Sequence, residues 1–289
     1  MLTSSILRSL LFVPADNPAK LMKSKQASAD ALVIDLEDAV ELGRKVLARA
    51  LVKEFLQGRH ALPQTVLVRL NQVAGEHFGH DCDAITGYIP DGIVLSKCES
   101  INDVLQLHSF LEKTDADRKC RIYPLIESAR GILNAYSIAS SSSRVAGLAF
   151  GAEDFSAEMG IQQTDEEIEL LYARSALVTA SRAAGCEAFD SPLLDFGDLQ
   201  RLQNAAFRAR NLGFSGKLAI HPAQIPVLND VFSPTESEIR EATRIIASYS
   251  AKGGGVLAVE GRMVDEASAR RARRILEIAG AIQHRKKSR

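Results

Sequence analysis

The alternation of short apolar segments with segments of helical spacing constrains the fold most. Eight apolar segments are mostly continuous runs of Leu, Ile and Val, which is typical of strands buried on both faces, as in a parallel sheet. They span residues 9–14, 31–36, 65–70, 92–97, 121–126, 145–150, 187–190 and 217–221. Between them, apolar residues three and four positions apart predict helices at 20–28, 43–58, 100–113, 131–140, 164–184 and 199–212. This order predicts an α/β fold, a (β/α)8 TIM barrel.

The alternative to the barrel is a doubly wound open sheet, although no GxGxxG motif follows the first strand. After Pro222 the pattern changes to a helix that starts at Ser-Pro-Thr-Glu, a glycine-rich break, a hairpin-like stretch turning at 260–261, and a last helix over 266–283. We therefore predict a barrel at 1–225 and a C-terminal helical extension at 226–289. The extension is too short for a core of its own, so we expect it to pack on the barrel or on a neighbouring subunit.

Composition excludes several classes of protein. Lys and Arg number 35 against 36 Asp and Glu, and a nearly neutral chain of this kind is not a general nucleic-acid binder. No apolar run reaches the roughly 18 residues of a membrane span, and the apolar N-terminus fits a first strand better than a signal peptide. The four cysteines are scattered without a CxxC motif, which predicts neither disulfides nor a zinc site and favours a cytoplasmic location.

Charged residues follow most of the predicted strands. The carboxyl ends of barrel strands carry function, and buried charges need a partner or a metal. The charged or ionisable residues are Asp35, Glu37, Asp38, Arg69, Lys97, Glu127, Glu153, Asp154, Asp190 and His221, and the neutral polar Asn71 lies among them. Arg8 opens the first strand and should lie at the opposite end. The histidines and cysteine in 77–82 resemble zinc-ligand spacing, but a surface loop or helix is favoured because no further ligands follow.

Glu127 and Asp154 follow adjacent predicted strands, so their carboxylates could meet. Two carboxylates with water and substrate oxygens commonly hold Mg²⁺; the alternative is a pair of acids in ordinary salt bridges, with Arg130 or Lys97. Glu153 and Asp154 are expected on an extended segment, where neighbouring side chains point to opposite sides, so only one of them should face the metal.

Arg69 interrupts a hydrophobic strand and therefore needs an anionic partner. That partner could be Asp35 or Glu37, or it could be a substrate carboxylate or an enolate oxygen, for which the guanidinium fork is well suited. We expect Arg69, Glu37 and Asp38 to contact the substrate.

Seven ordered motifs across residues 8–277 resemble the citrate lyase β-subunit-like proteins of the HpcH/HpaI aldolase and malyl-CoA lyase superfamily. They are RSLLFVPADNP, ADALVIDLEDAV, LVRLN, IYPLIESARGI, GLAFGAEDFSAEMG, GKLAIHPAQI and GRMVDEASARRARRIL. The resemblance implies a barrel that assembles as a homotrimer or hexamer. It also implies Mg²⁺ held by Glu127 and Asp154, Arg69 on the keto acid or enolate, and Asp265 as a general base reaching the site of a neighbouring subunit.

Two positions depart from the pattern of the relatives. Glu266-Ala267 replaces a basic residue and a proline, and Ser96-Lys97-Cys98 replaces Pro-Lys-Val. Both could alter substrate handling, but neither removes an implied metal ligand.

The resemblance implies an Mg²⁺-dependent lyase that cleaves or forms a carbon–carbon bond in a malyl-, citramalyl- or citryl-type thioester. The products would be an acetyl thioester, on CoA or an acyl carrier, and an α-keto acid. Three alternatives remain: a malyl-CoA-type thioesterase, a citrate lyase β subunit active only with an acyl carrier protein, and a simple aldolase acting on free keto acids.

Overall fold

A computed structural model of the chain describes residues 6–253, 255–259 and 262–287. Its main feature is a closed barrel of eight parallel strands, in which β1 pairs with both β2 and β8. Closure confirms the predicted (β/α)8 TIM barrel and excludes the open sheet. The strands are β1 Ser9–Pro14, β2 Ala31–Asp35, β3 Thr65–Leu70, β4 Gly92–Leu95, β5 Arg121–Ile126, β6 Gly147–Phe150, β7 Glu187–Asp190 and β8 Gly216–Ala219.

Helices connect the strands and cover the outside of the barrel. They are α1 Pro18–Ser24, α2 Lys45–Gln57, α3 His77–Ile85, α4 Ile101–Thr114, α5 Ala129–Leu133, α6 Ala135–Ser140, α7 Ala152–Met159, α8 Leu171–Ala183, α9 Leu199–Leu212 and α10 Ile225–Val231. Short 3-10 helices lie at Leu42–Arg44, Arg59–Ala61, Ile168–Leu170 and Pro222–Gln224. The helical spacing did not predict α3, α7 and α10, which have only nine, eight and seven residues.

The barrel interior is filled by apolar side chains, as is usual for this fold. Tyr123 and Phe189 meet edge to face with ring centroids 5.9 Å apart. Glycines leave room for both rings: a Cβ on Gly92 would lie 2.7 Å from Tyr123, and one on Gly147 would lie 2.7 Å from Phe189. Large and small residues therefore alternate across the interior and fill it, so that no channel passes through the barrel. A functional site can then lie only at the ends of the strands.

The amino-terminal end of the barrel is held by a buried ion pair. Arg8, just before β1, donates from Nε to Asp30 at 2.7 Å. Arg8 therefore lies at the end opposite the strand carboxyl termini, as its position before the first strand predicts.

Chain contacts divide the described residues into two units, Leu7–Asn229 and a second unit formed by Ile6 and the residues from Asp230 onward. In the second unit, α11 Glu236–Ala251 and α12 Glu266–Lys287 pack together, beside an antiparallel pair, β9 Leu257–Val259 and β10 Arg262–Val264. Thr235 and Glu238 form a capping box at the start of α11. Within the described residues, no helix is long and apolar enough to cross a membrane.

Candidate active site

Arg69 lies at the carboxyl end of β3, where two acids hold its guanidinium. Nε and Nη2 donate to the two oxygens of Asp35 at 2.7 and 2.6 Å, and Nη1 lies 2.9 Å from Glu37. The ring of Phe12 packs under the guanidinium at 5.0 Å. Burial disfavours the charge, but the two carboxylates outweigh it and raise the pKa of Arg69 above its ordinary value. Asp35 and Glu37, two of the partners expected for Arg69, are therefore the anions that hold it in the structure.

Lys97 follows β4 and reaches the same acids from the other side. Its Nζ lies 3.4 Å from Glu37, 3.5 Å from Asp154 and 4.0 Å from Asp38. Its backbone is left-handed, with φ of 50°, which is unusual for a residue with a Cβ. These charges keep Lys97 protonated: burial lowers its pKa, but the carboxylates, led by Glu37, raise it further.

Glu127 directly follows β5 and is buried. Its Oε2 accepts a hydrogen bond from the amide of Lys97 at 2.8 Å, and among the residues that the structure describes no donor reaches Oε1. Burial, followed by the charge of Glu37, raises the pKa of Glu127 to about 8. A buried carboxylate with an open oxygen is a suitable ligand for a cation.

Asp154 and Glu153 lie in the first turn of α7, not on an extended segment as predicted. The interpretation that they face opposite sides is therefore wrong: consecutive helical residues are about 100° apart, and both line the same cavity. Acidic side chains are favoured in the first turn by the helix dipole. Glu153 accepts from the Gln163 amide at 3.1 Å, whereas the one ion-pair partner of Asp154 among the described residues is Lys97.

A cavity of roughly 600 Å³ opens at the carboxyl ends of the strands. Its charged lining brings together most of the predicted site: Asp35, Asp38, Arg69, Glu127, Glu153 and Asp154. His221 lines it too and stacks on Phe196, with ring centroids 4.7 Å apart. Glu37 is buried behind the wall, where it connects Arg69 to Lys97.

The charges of this cluster fit a divalent cation. Five carboxyl groups, those of Asp35, Glu37, Asp38, Glu127 and Asp154, lie around two cations, Arg69 and Lys97, so acids outnumber the bases beside them. The described residues contain no group of three or more His, Cys, Asp or Glu side chains arranged as a metal site. Two carboxylates completed by water or substrate oxygens are a donor set that Mg²⁺ accepts.

Gly151 allows the close approach of Glu127 to β6. A Cβ at this position would lie 2.5 Å from Cγ and 2.6 Å from Oε1 of Glu127. We expect Gly151→Ala to displace the carboxylate and to weaken Mg²⁺ binding about tenfold or more, at a cost of about 1–3 kcal/mol in stability. Calorimetric titration and urea unfolding measure the two effects. Gly79→Ala is the matched control, because nothing lies within 4 Å of its added Cβ; equal Mg²⁺ affinities in both variants would contradict the prediction.

Glu37 makes stability depend on pH. Burial raises its pKa to about 7, against the partly opposing charge of Arg69, so the folded chain holds this proton more tightly than the unfolded chain. The stabilising contribution is complete below about pH 4.5 and is lost as the pH rises through 7.

We therefore expect the unfolding free energy of Glu37→Gln minus that of the wild type to grow by about 1–2 kcal/mol from pH 5 to pH 8. The measurement is urea unfolding in EDTA. A difference that stays constant or shrinks with pH would show that Glu37 does not titrate in this range.

Asp190 ends β7 but does not belong to the site, contrary to its predicted place among the functional strand ends. Both of its oxygens accept from Arg174 of α8, at 3.0 and 2.9 Å, and Lys217 of β8 also donates to it. All three side chains are buried. This network ties two strands to a helix and is structural.

The other residues singled out from the sequence do not line the cavity. The 77–82 segment is part of α3, as the favoured surface reading allows, and the four cysteines are free and buried. Asp265 belongs to the C-terminal unit, where its Oδ1 accepts from the Ser268 amide at 2.9 Å at the start of α12. This hydrogen bond lowers the pKa of Asp265 below its ordinary value, so the carboxylate is ionised.

Sequence reasoning placed Lys97 among the strand-end charges, with no role beyond a salt bridge to Glu127 or Asp154, and it did not assign Phe12 or Gly151 to the site. For Gly151 a signal exists, because a glycine directly after a buried strand often marks close approach of another group. For Phe12 and for the left-handed backbone of Lys97 no local signal exists.

Comparison with known proteins identifies the family. Residues 8–222 match the HpcH/HpaI aldolase/citrate lyase family. The chain belongs to this family. The resemblance drawn from the sequence motifs is thereby confirmed. Aldolases and citrate lyases make or break carbon–carbon bonds, and this member of the HpcH/HpaI family is accordingly a carbon–carbon lyase.

Similar proteins extend over almost the whole chain. The citrate lyase subunit beta of Leuconostoc mesenteroides subsp. cremoris is 36% identical over 95% of this chain and 93% of its own length. A (3S)-malyl-CoA thioesterase of Cereibacter sphaeroides is 32% identical over 95% of each chain. The structure of CitE from Mycobacterium tuberculosis in complex with magnesium, acetoacetate and coenzyme A is 30% identical and superposes with a TM-score of 0.80, covering 94% of this chain and 97% of that one.

Proposed function

We propose that this protein is a magnesium-dependent lyase that cleaves or forms a carbon–carbon bond in a 3-hydroxyacyl thioester of the malyl, citramalyl or citryl type. The products of cleavage would be an acetyl thioester and an α-keto acid. The observation that carries the proposal is the meeting of Glu127 and Asp154 at one cavity, linked through Lys97, where acids outnumber the cations beside them. The magnesium, acetoacetate and coenzyme A bound by the mycobacterial relative support it.

Glu127 and Asp154 would hold the ion. Bound Mg²⁺ would supply Lewis-acid polarisation of the substrate oxygens. The buried Glu127, fixed by the Lys97 amide, gives one ligand a set position, and the half-exposed Asp154 gives the other access from solvent. Apolar cavity walls, including Leu125 and Leu218, limit the entry of water that would hydrolyse the thioester.

Arg69 would bind the keto acid or the enolate oxygen of the acetyl thioester. A guanidinium has five N–H donors, and Asp35 and Glu37 use three of them, so one N–H on each terminal nitrogen is left for a ligand in the cavity. Because Asp35 and Glu37 hold the fork rigid, it would be set for the developing negative charge. Asp38 lies on the cavity wall and would contact a hydroxyl group of the substrate. Glu37 would affect substrate binding indirectly, by holding the guanidinium of Arg69 in place.

Asp265 of a neighbouring subunit would be the general base. Its carboxylate would take a proton from the methyl carbon of the acetyl thioester in synthesis and return it to that carbon after cleavage. This role requires the predicted division of the chain into a barrel and a C-terminal extension. The extension would pack on a neighbouring subunit in a homotrimer or hexamer. Exposed apolar side chains on the α5, α6 and α8 side of the barrel, such as Leu133, Tyr136 and Tyr172, are suited to a subunit contact.

The test is an assay of the purified protein with Mg²⁺ and malyl-, citramalyl- and citryl-CoA. We expect acetyl-CoA and an α-keto acid in equal amounts, and no product after EDTA. No carbon–carbon cleavage of any of these thioesters, nor of their acyl carrier forms, would reject the lyase proposal.

Two alternatives are each favoured by a specific relative. The similarity to a (3S)-malyl-CoA thioesterase favours hydrolysis, which would give free malate and CoA in the same assay. The similarity to citrate lyase subunit beta favours a subunit that works with an acyl carrier partner, which would be inactive on CoA thioesters and active on the carrier-bound form.

A further inference from the structure

We infer that Lys97 is a positioning residue of the proposed metal site, in which the main chain and the ammonium group have separate roles. The main-chain N–H orients Glu127 as a ligand, and the ammonium is a tethered counter-ion that competes with the divalent cation for Asp154. This inference rests on the proposed function and concerns the affinity of the site for Mg²⁺.

The main-chain role follows from the backbone conformation. Lys97 adopts φ of 50° directly after β4, a conformation that a residue with a Cβ adopts only where its surroundings impose it. In this conformation its amide points at Glu127 Oε2, 2.8 Å away. A bend after β4 thus positions a side chain that follows β5.

The side-chain role follows from the distances. The ammonium is 3.4 to 4.0 Å from oxygens of Glu37, Asp38 and Asp154, beyond the usual range of a direct hydrogen bond. Arg69, by contrast, holds Asp35 at 2.6 and 2.7 Å. The ammonium is therefore shared among three carboxylates, on a flexible side chain that is 37% exposed.

A shared, flexible cation is easily displaced by an ion of higher charge. Mg²⁺ at Glu127 and Asp154 would take over the attraction that Asp154 now has for Lys97, and the tether would keep the ammonium beside Glu37 and Asp38. Removing the ammonium should then strengthen metal binding, because the carboxylates lose a competitor and the ion loses a repelling neighbour.

Two neutral replacements separate the roles. Lys97→Gly and Lys97→Asn both accept a left-handed backbone, so they retain the amide that orients Glu127 while removing the ammonium. Lys97→Arg keeps the charge. Lys20→Ala is the matched charge control, because Lys20 also lines the cavity but forms no ion pair among the described residues.

The measurement is calorimetric titration of each full-length variant with Mg²⁺ alone. We expect Lys97→Gly and Lys97→Asn to bind Mg²⁺ about tenfold more tightly than the wild type, about 1.4 kcal/mol, with Lys97→Arg and Lys20→Ala within twofold of it. Lys97→Ala should have a lower melting temperature than Lys97→Gly, because only alanine opposes the left-handed backbone.

Unchanged or weaker Mg²⁺ binding in both neutral variants would overturn the counter-ion role, and so would equal tightening in Lys20→Ala. Equal melting temperatures of the alanine and glycine variants would overturn the main-chain role. Failure of the wild type itself to bind Mg²⁺ would instead overturn the proposed function, together with this inference.

Discussion

Glu127→Gln and Asp154→Asn are each expected to lower turnover about a thousandfold or more. Loss of a metal ligand removes several kcal/mol of charge stabilisation, and about 4 kcal/mol corresponds to a thousandfold in rate. Initial rates at saturating thioester and a series of Mg²⁺ concentrations measure the effect. We expect that raising Mg²⁺ restores little activity, because the remaining carboxylate cannot replace its partner.

The loss should come from the site and not from unfolding. Glutamine has the shape of glutamate, and burial makes an ionised Glu127 unfavourable, with its pKa raised to about 8, so the melting temperature of Glu127→Gln should not fall. Glu153→Gln is the matched control for Asp154→Asn, since Glu153 lies in the same helical turn but contacts Gln163. A Glu153→Gln variant as inactive as Asp154→Asn would show that the two acids had been assigned wrongly.

Asp265→Ala is expected to abolish turnover while leaving Mg²⁺ affinity within about twofold of the wild type, since removing a general base costs typically 10²- to 10⁴-fold in rate. Because the base would act across a subunit interface, Asp265→Ala and Glu127→Gln protomers should complement each other. Dissociating the two variants, mixing them and reassembling them should return activity, as some sites then combine an intact metal pair with an intact base.

The control is each variant taken alone through the same dissociation and reassembly. Activity in the mixture no higher than in these controls would place the base within the same subunit. Full loss of Mg²⁺ binding in Asp265→Ala would show instead that this residue has a structural role.

The fold could be predicted from the sequence because its strands are buried on both faces. β1, β3, β5 and β7 match the predicted segments at both ends, and β4 and β8 differ by one or two residues. Helices with a long apolar face, such as α9, were predicted with equal accuracy. α7 was missed because it has only eight residues and begins with an alanine and two acids after its glycine N-cap, a stretch too short and too polar to show helical spacing.

The site could be predicted only in part, because the sequence does not show which way a strand-end residue points. Arg69 is the second-last residue of β3 and Asp190 is the last residue of β7. Arg69 lines the cavity, whereas Asp190 binds Arg174 and Lys217 away from it. Neighbouring residues of a strand point to opposite faces of the sheet, so a shift of one position moves a side chain from one face to the other. Lys97 illustrates a second limit, since no residue type in Ser-Lys-Cys signals a left-handed backbone.

The most direct test of the account is a crystal structure of the protein with Mg²⁺ and oxaloacetate or pyruvate. The account predicts one ion bound by carboxylate oxygens of both Glu127 and Asp154, with the keto acid completing its ligands and facing Arg69. An ion bound elsewhere, or a keto acid bound while Lys97 still bridges the two acids without a metal between them, would contradict it.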